Sequence, residues 1–330
     1  MIFLDKKTFG VHRALFLGEP QITYATFSSI KTCKGNTPSD STGIDSKLQK
    51  AVVKAFSEHL ERRKMGIYMD MSNNVLCYNF TTKTPALIVA KNFAYGYNKM
   101  FGWNDTTGTA AGYNSDKVIR KACYELLEKN EMLLFWYKDL GEYVEKNDYI
   151  NCVIRELQFS SERVEIFSSR NLCNRYTFFT ICISRGRVVS SGVCLDDKPE
   201  HALRSALYEA RLLEWQNKNN PNSNINKLSD DEMKSIIQFI DNKKKRMKKF
   251  KDFECPSDCF RINEWIKEMY IGLLSMPNDY SPVTVKCISK ELFNCIPKRH
   301  YILDSKEKEI LKRFGITEYE IAKQVECILL

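Results

Sequence analysis

No Gly-x-Gly-x-x-Gly spacing and no Gly-Lys-Ser/Thr triplet occurs anywhere in the chain. The first absence removes support for a dinucleotide-binding turn, and the second for a P-loop. There is no Cys-x-x-Cys pair; Cys255, Cys259, Cys287 and Cys295, with His300 beyond them, do not stand at knuckle spacing, which argues against a zinc site. No apolar run approaches the roughly 20 residues that cross a bilayer. The first residues, MIFLDKKTFG, lack a basic region leading into a sustained apolar segment, so no secretory signal is expected there. These absences lead us to expect a cytoplasmic protein that makes no membrane contact.

What is present is ordinary for a folded protein. The chain has 330 residues, 43% of them hydrophobic and 28% charged, enough for one large domain or two modest ones and too apolar for disorder to be the default. Cysteines are scattered through apolar stretches such as FFTICIS and VKCIS, where Cys behaves as a small core residue, so reduced thiols are expected. The net charge of +9 owes much to KKKRMKKFK at 243–251. Such a run reads first as a solvated helix face or loop, and second as a dock for an acidic peptide or nucleic acid. Only Phe250 and Phe253 interleave with it, so a nucleic-acid partner is not expected.

The strongest signal is a repeat. Residues 51–63, AVVKAFSEHLERR, and 118–130, VIRKACYELLEKN, share the pattern Ala-x-x-Glu-x-x-Glu-Arg/Lys. Ala55, Glu58, Leu60, Glu61 and Arg62 align with Ala122, Glu125, Leu127, Glu128 and Lys129. Apolar residues recur at helical intervals in both stretches, which puts the two Glu of each copy on one helix face. Like charges at that spacing repel, more so when desolvated, and a compensating cation is called for. Singly, each copy also fits a solvated helix face. Together, four carboxylates on two helices supply oxygen ligands suited to Mg2+, and the adjoining Arg62 and Lys129 could reach a phosphate. Both copies follow Gly-rich stretches, KGNTPSDSTG and GWNDTTGTAAGYNS, read as loops, with Ser46 and Ser115 as candidate helix caps.

Elsewhere, ITYATFSSI, NVLCYNF, ALIVAKNFAYGY, INCVIREL, VEIFSS, RYTFFTICIS, RVVSSGVCL and SPVTVKCI have strand length, the second and third reading as a hairpin across TTKTP. HALRSALYEARLLEW is helical and partly repeats the motif, with Ala206 and Glu209 but Leu212 in place of a second Glu. A polar loop follows near 217–228, then a capping box of Ser229 and Glu232 opening a helix with Met233, Ile236, Ile237 and Ile240. EKEILKRFG and EYEIAKQVECILL are helical. The expected class is α+β, with mixed or antiparallel sheets and packed helices.

The stretches STGIDSKLQKAVVKAFSEHLERR, TTGTAAGYNSDKVIRKACYELLEKNEMLLFWY and KPEHALRSALYEARLLEWQ, in that order, resemble the YcaO family. The ERR, LLFWY and EWQ segments look most like the YcaO subunit of microcin-type thiazole/oxazole synthetases. The resemblance implies a single YcaO-like domain over 1–330. It implies an ATP- and Mg2+-dependent cyclodehydratase acting on a ribosomally made precursor peptide rich in Cys, Ser and Thr: a side chain attacks the preceding carbonyl, ATP phosphorylates the amide oxygen, and phosphate leaves to give a thiazoline or oxazoline. It also implies that Glu58, Glu61, Glu125 and Glu128 hold Mg2+ and that Arg62 and Lys129 offset phosphate charge. Lys54 and Lys121 stand where the family often has Ser, and each would contact a phosphate or fill a metal position by ion pairing. A leader-peptide-binding partner subunit and a following flavin dehydrogenase are expected. Thioamide or amidine formation is an alternative within the family. A second reading, carried by Lys54, Lys121 and the lack of Pro after Pro297, is a scaffold or peptide-binding subunit without ATP turnover.

Overall fold

The computed structural model describes residues 9–12, 20–26, 29–32, 35–250, 259–275 and 282–329. Cys255, Phe253, Lys251, most of the N-terminal MIFLDKKTFG and two residues of ITYATFSSI lie outside them. The chain divides into two compact units, one taking in Pro20–Lys129 and Asn263–Arg313, the other Asn130–Ile262 and Phe314–Leu330.

In the first unit a five-stranded antiparallel sheet runs in the order Thr109–Gly112, Val283–Ser289, Met269–Leu273, Asn74–Asn79, Thr84–Val89. The last two strands are the expected hairpin, Asn79 pairing with Thr84 and Leu76 with Leu87. Helix α1, Leu48–Tyr68, contributes Met65 and Tyr68 to a core with Val75, Cys77, Ile88, Phe93, Phe101 and Ile288. A three-stranded antiparallel sheet, Phe9–His12, Gln21–Thr26 and Asp40–Asp45, also belongs to this unit. Helix α2, Ser115–Lys138, lies in the first unit as far as Lys129 and in the second from Asn130.

Two expectations are corrected here. KGNTPSDSTG and GWNDTTGTAAGYNS are not plain loops: the strands Asp40–Asp45 and Thr109–Gly112 run out of them. Small residues serve close approach in the first. A β-carbon on Gly43 would stand 2.1 Å from the Ala51 carbonyl oxygen and 2.8 Å from the Ala55 nitrogen, so only glycine lets the strand lie on α1. The proposed serine caps also fail. Lys47 precedes α1 with no side-chain cap, and the Ser46 hydroxyl donates to Asp45 at 3.3 Å instead. At α2 it is Asn114, one residue earlier than expected, whose side chain accepts from the Lys117 N–H at 2.9 Å.

The second unit holds a mixed sheet in the order Arg187–Leu195, Thr177–Ser184, Arg163–Ser169, Glu142–Tyr143, Lys248–Lys249, antiparallel except for the final pair. INCVIREL, read as a strand, is helix α3, Asp148–Leu157. Its buried Ile150, Val153 and Leu157 recur at helical spacing, and the Asn147 side chain accepts from the Ile150 N–H at 2.9 Å. Cap and periodicity together override the β-branched content. Asn147→Ala is expected to lower the unfolding free energy by about 1 kcal/mol in a denaturant titration.

Helix α4, Pro199–Asn219, packs on Arg187–Leu195 as α1 packs on Asp40–Asp45. A β-carbon on Gly192 would meet the Ala206 carbonyl oxygen at 2.1 Å and the Ala210 nitrogen at 2.5 Å. In this contact Ala206 and Ala210 stand to Gly192 as Ala51 and Ala55 stand to Gly43, and Glu209 Oε2 accepts from the Val193 N–H at 2.6 Å. Helix α5, Asp230–Arg246, opens on the Ser229–Glu232 capping box as expected. The basic run begins in its last turn and is solvated in part, as expected, with Lys245, Arg246, Lys248 and Lys249 exposed, but several of its cations are paired. Lys243 is buried, donating to the Phe135 carbonyl at 2.7 Å and to Asp139, while Lys244 pairs with Glu165 at 3.0 Å, Arg246 with Asp139 at 2.8 Å and Lys249 with Glu145 at 2.6 Å.

No disulfide joins any two of the ten described cysteines, seven of which are buried. Among the described residues no helix is long and apolar enough to cross a membrane.

Candidate functional site: a carboxylate cluster held by strand amides

Glu58 is fixed at both oxygens. The Thr42 N–H, on the strand that Gly43 seats against α1, donates to Oε2 at 2.7 Å, and the Arg62 guanidinium donates to Oε1 at 2.6 Å. Arg62 also donates to the Asp40 carbonyl on the same strand. One turn later, Glu61 Oε1 accepts from the Ala111 N–H at 2.9 Å, from the strand that precedes α2. Each Glu of the first copy is thus tied to the strand emerging from one of the two Gly-rich stretches.

The second copy faces the same region. Lys121 Nζ stands 3.7 Å from Glu61 Oε1, and its ammonium is stabilised first by Glu61, then by Glu125, Glu58 and Glu128, which raise its pKa. Burial is the largest cause holding the carboxyls of Glu58, Glu61 and Glu125 above the usual range, with Arg62 opposing it at Glu58 and Lys121 opposing it at Glu61. The effect is strongest at Glu125, where the Glu61 charge adds to burial and outweighs the help of Lys121 and Lys129. Glu128 is buried and pairs with the buried Lys129 at 3.1 Å.

The structure therefore gathers Glu58, Glu61, Glu125, Glu128, Arg62 and Lys121 into one electrostatic cluster, with Lys129 at its edge. Lys54 is turned elsewhere, donating to the Ile44 carbonyl at 2.8 Å and pairing with Asp45 at 2.9 Å. Among the described residues no three His, Cys, Asp or Glu side chains converge on a ready-made metal position, for zinc or any other ion. The donor set nevertheless fits a hard cation: burial and mutual repulsion hold three carboxyls partly against ionisation, and oxygen-binding Mg2+ relieves both.

Sequence reasoning missed several groups here. The Thr42 and Ala111 amides carry no side-chain signature. Lys286, buried on Val283–Ser289, donates to the Asp105 and Thr107 carbonyls at 2.7 Å each; burial pulls its ammonium down to about 8 against the pull of Asp105 and Glu125. Tyr95 follows the short helix Ala90–Phe93, and its hydroxyl, out of contact with water, lies within electrostatic reach of Arg62, Asp105, Glu61 and Glu58. Nothing in KNFAYGY marks either its burial or its neighbours.

Antiparallel and mixed sheets carrying helices, with a partly buried carboxylate cluster whose first Glu pair is pinned by strand amides, define an α+β protein with a built polar site. The chain belongs to the YcaO family: residues 69–257 match the family described as YcaO cyclodehydratase, ATP- and Mg2+-binding. That span contains Glu125, Glu128 and α4, while Glu58 and Glu61 lie N-terminal to it. No curated protein matches the chain in sequence. Among solved structures, the chain is similar to YcaO from Methanopyrus kandleri bound with AMPPCP and Mg2+, at 13% identity and a TM-score of 0.67, covering 91% of this chain and 87% of that one. It is also similar to a chain of the E. coli microcin synthetase McbBCD complex, at 12% identity and a TM-score of 0.69, covering 96% and 95%. A heterocyclase in complex with substrate and cofactor gives 13% identity and a TM-score of 0.64, covering 94% of this chain and 53% of that one. At these identities the likeness establishes the fold.

Proposed function

We propose that this chain is the catalytic subunit of a multiprotein cyclodehydratase, a single YcaO-like domain over 1–330 that uses ATP and Mg2+ to form thiazoline or oxazoline rings on a precursor peptide rich in Cys, Ser and Thr. The observation that carries the proposal is the cluster itself: two Glu pairs on neighbouring turns of two helices, Glu61 and Glu128 buried, Glu58 and Glu125 half-buried, and three of the four carboxyls held above their usual range. Mg2+, when bound, neutralises phosphate charge and favours transfer to the amide oxygen. Glu58, Glu61, Glu125 and Glu128 would hold it. The Thr42 and Ala111 amides fix the orientation of the first pair, so little side-chain freedom is lost when a ligand arrives. Arg62, Lys121 and Lys129 would face phosphate oxygens, and Lys54 would join them only after leaving Asp45.

A leader-binding subunit is the expected partner, as similarity to a chain of the McbBCD complex suggests, with a flavin dehydrogenase as a following enzyme. In a complex reconstituted with that partner, Glu58→Gln is expected to slow ring formation, followed as loss of one water per ring by mass spectrometry, by at least about 100-fold. Ring formation at the parent rate would remove Glu58 from the site.

A second reading is a scaffold subunit without ATP turnover, and the position of Lys121 beside Glu61 favours it, since an ammonium there can stand in for a metal. Mg2+-dependent ATP hydrolysis lost in Glu58→Gln decides against the scaffold.

A further inference from the structure

We propose that Tyr95 is a ligand-facing residue of the carboxylate cluster, its hydroxyl donating a hydrogen bond to an anionic oxygen of the nucleotide phosphates. The proposal rests on the reading of the cluster as an ATP site and adds a residue to it. Three observations carry it. The Tyr95 ring is anchored, packing against the core formed by Met65, Tyr68, Val75, Phe93 and their neighbours, so its direction is set by the fold. Its hydroxyl is out of contact with water and has no hydrogen-bond partner among the described residues. The charged groups that act electrostatically on that hydroxyl include Arg62, Asp105, Glu61 and Glu58, three of which belong to the cluster.

A buried phenol without a partner is unusual, because the group has lost its water and gained nothing in exchange. Tyr68, on the same core, shows the ordinary outcome: its hydroxyl donates to the Leu273 carbonyl at 3.1 Å. Of the carboxylate oxygens in this region, both of Glu58 accept from Thr42 and Arg62, both of Asp105 from Thr107 and Ile296, and Oε1 of Glu61 from Ala111. A tyrosine phenol is protonated at neutral pH, so the group arrives at the site as a donor. An acceptor carried in by a ligand satisfies it, and a phosphate oxygen is the acceptor that Arg62 also attracts.

The test is calorimetric titration of the purified chain with AMPPCP in the presence and absence of Mg2+, for the parent, Tyr95→Phe and Glu58→Gln, with melting curves of each without nucleotide. The expected result is Mg2+-dependent binding by the parent, lost in Glu58→Gln and weakened by about 10-fold in Tyr95→Phe. The free Tyr95→Phe protein is expected to melt no lower than the parent, because the substitution removes an unpaired polar group and keeps the ring. Parental affinity in Tyr95→Phe, with Glu58→Gln inactive in binding, overturns the role of Tyr95 and leaves the ATP site standing. A lowered melting temperature of free Tyr95→Phe shows the hydroxyl to be partnered within the protein and overturns the proposal as well. Absence of binding by the parent overturns both.

Discussion

Glu125→Gln is expected to raise the melting temperature of the free protein at neutral pH and to reduce Mg2+-dependent nucleotide binding by at least about 100-fold. The carboxyl of Glu125 lies well above its ordinary value of 4.5, because burial and the Glu61 charge, with a smaller push from Glu128, outweigh Lys121 and Lys129. Its folded pKa therefore exceeds the unfolded one. Below the unfolded value the group is protonated in both states and has no effect on stability. As pH rises through the folded value, the native state must ionise a carboxyl that the unfolded chain has already ionised more easily, and stability falls. Gln has the shape of the protonated form at every pH. The gain in melting temperature is thus present at neutral pH and fades as the solution is acidified toward the unfolded pKa. Binding changes in the opposite sense, since a neutral amide offers no charge to a cation. A stability gain joined to a binding loss is the mark of a group retained for its ligand. A Gln variant that melts lower at neutral pH would mean that the carboxylate is already satisfied inside the fold.

The carboxylate pairs were legible in the sequence because repetition at fixed spacing on two amphipathic stretches is improbable without a use. Glu58, Glu61, Glu125 and Glu128 all lie within electrostatic reach of Lys121, and the α+β class and the hairpin across TTKTP follow from alternation that the structure reproduces. What could not be read falls into two kinds. The Gly-rich stretches looked like loops because glycine is both a turn former and the residue of close approach, and only a third dimension separates the two uses. Gly43 and Gly192 are in strands, each seated on the backbone of a following helix. The other kind is pairing at long range. The ion pairs of the basic run and the burial of Lys243 could not be read because the partners Asp139, Glu145 and Glu165 lie far from it in sequence. Similarly, the Ala111 amide that orients Glu61 comes from a strand 50 residues away.

Gly43→Ala is the substitution expected to cost the most stability. The new methyl would lie 2.1 Å from the Ala51 carbonyl oxygen and 2.8 Å from the Ala55 nitrogen. Both obstacles are helix backbone, so no rotamer change clears them, and the strand must lift from α1. Lifting exposes apolar surface that includes Ile44, Ala51 and Ala55, all buried. Clashes with rigid backbone lie at the upper end of overpacking costs, and a loss of at least about 3 kcal/mol is expected in chemical denaturation. The same movement draws the Thr42 N–H away from Glu58 and the Asp40 carbonyl away from Arg62, so nucleotide affinity should fall even in the fraction that remains folded. Gly112→Ala is the control, in the strand leading to α2. Its methyl would meet a side-chain carbon, Cγ2 of Val118, at 3.0 Å, which can shift by a few tenths of an ångström. That variant should lose less than about 1 kcal/mol. If Gly43→Ala melts within about two degrees of the parent while Gly112→Ala does the same, the strand is not seated on α1 as described, and the amide that orients Glu58 must come from elsewhere.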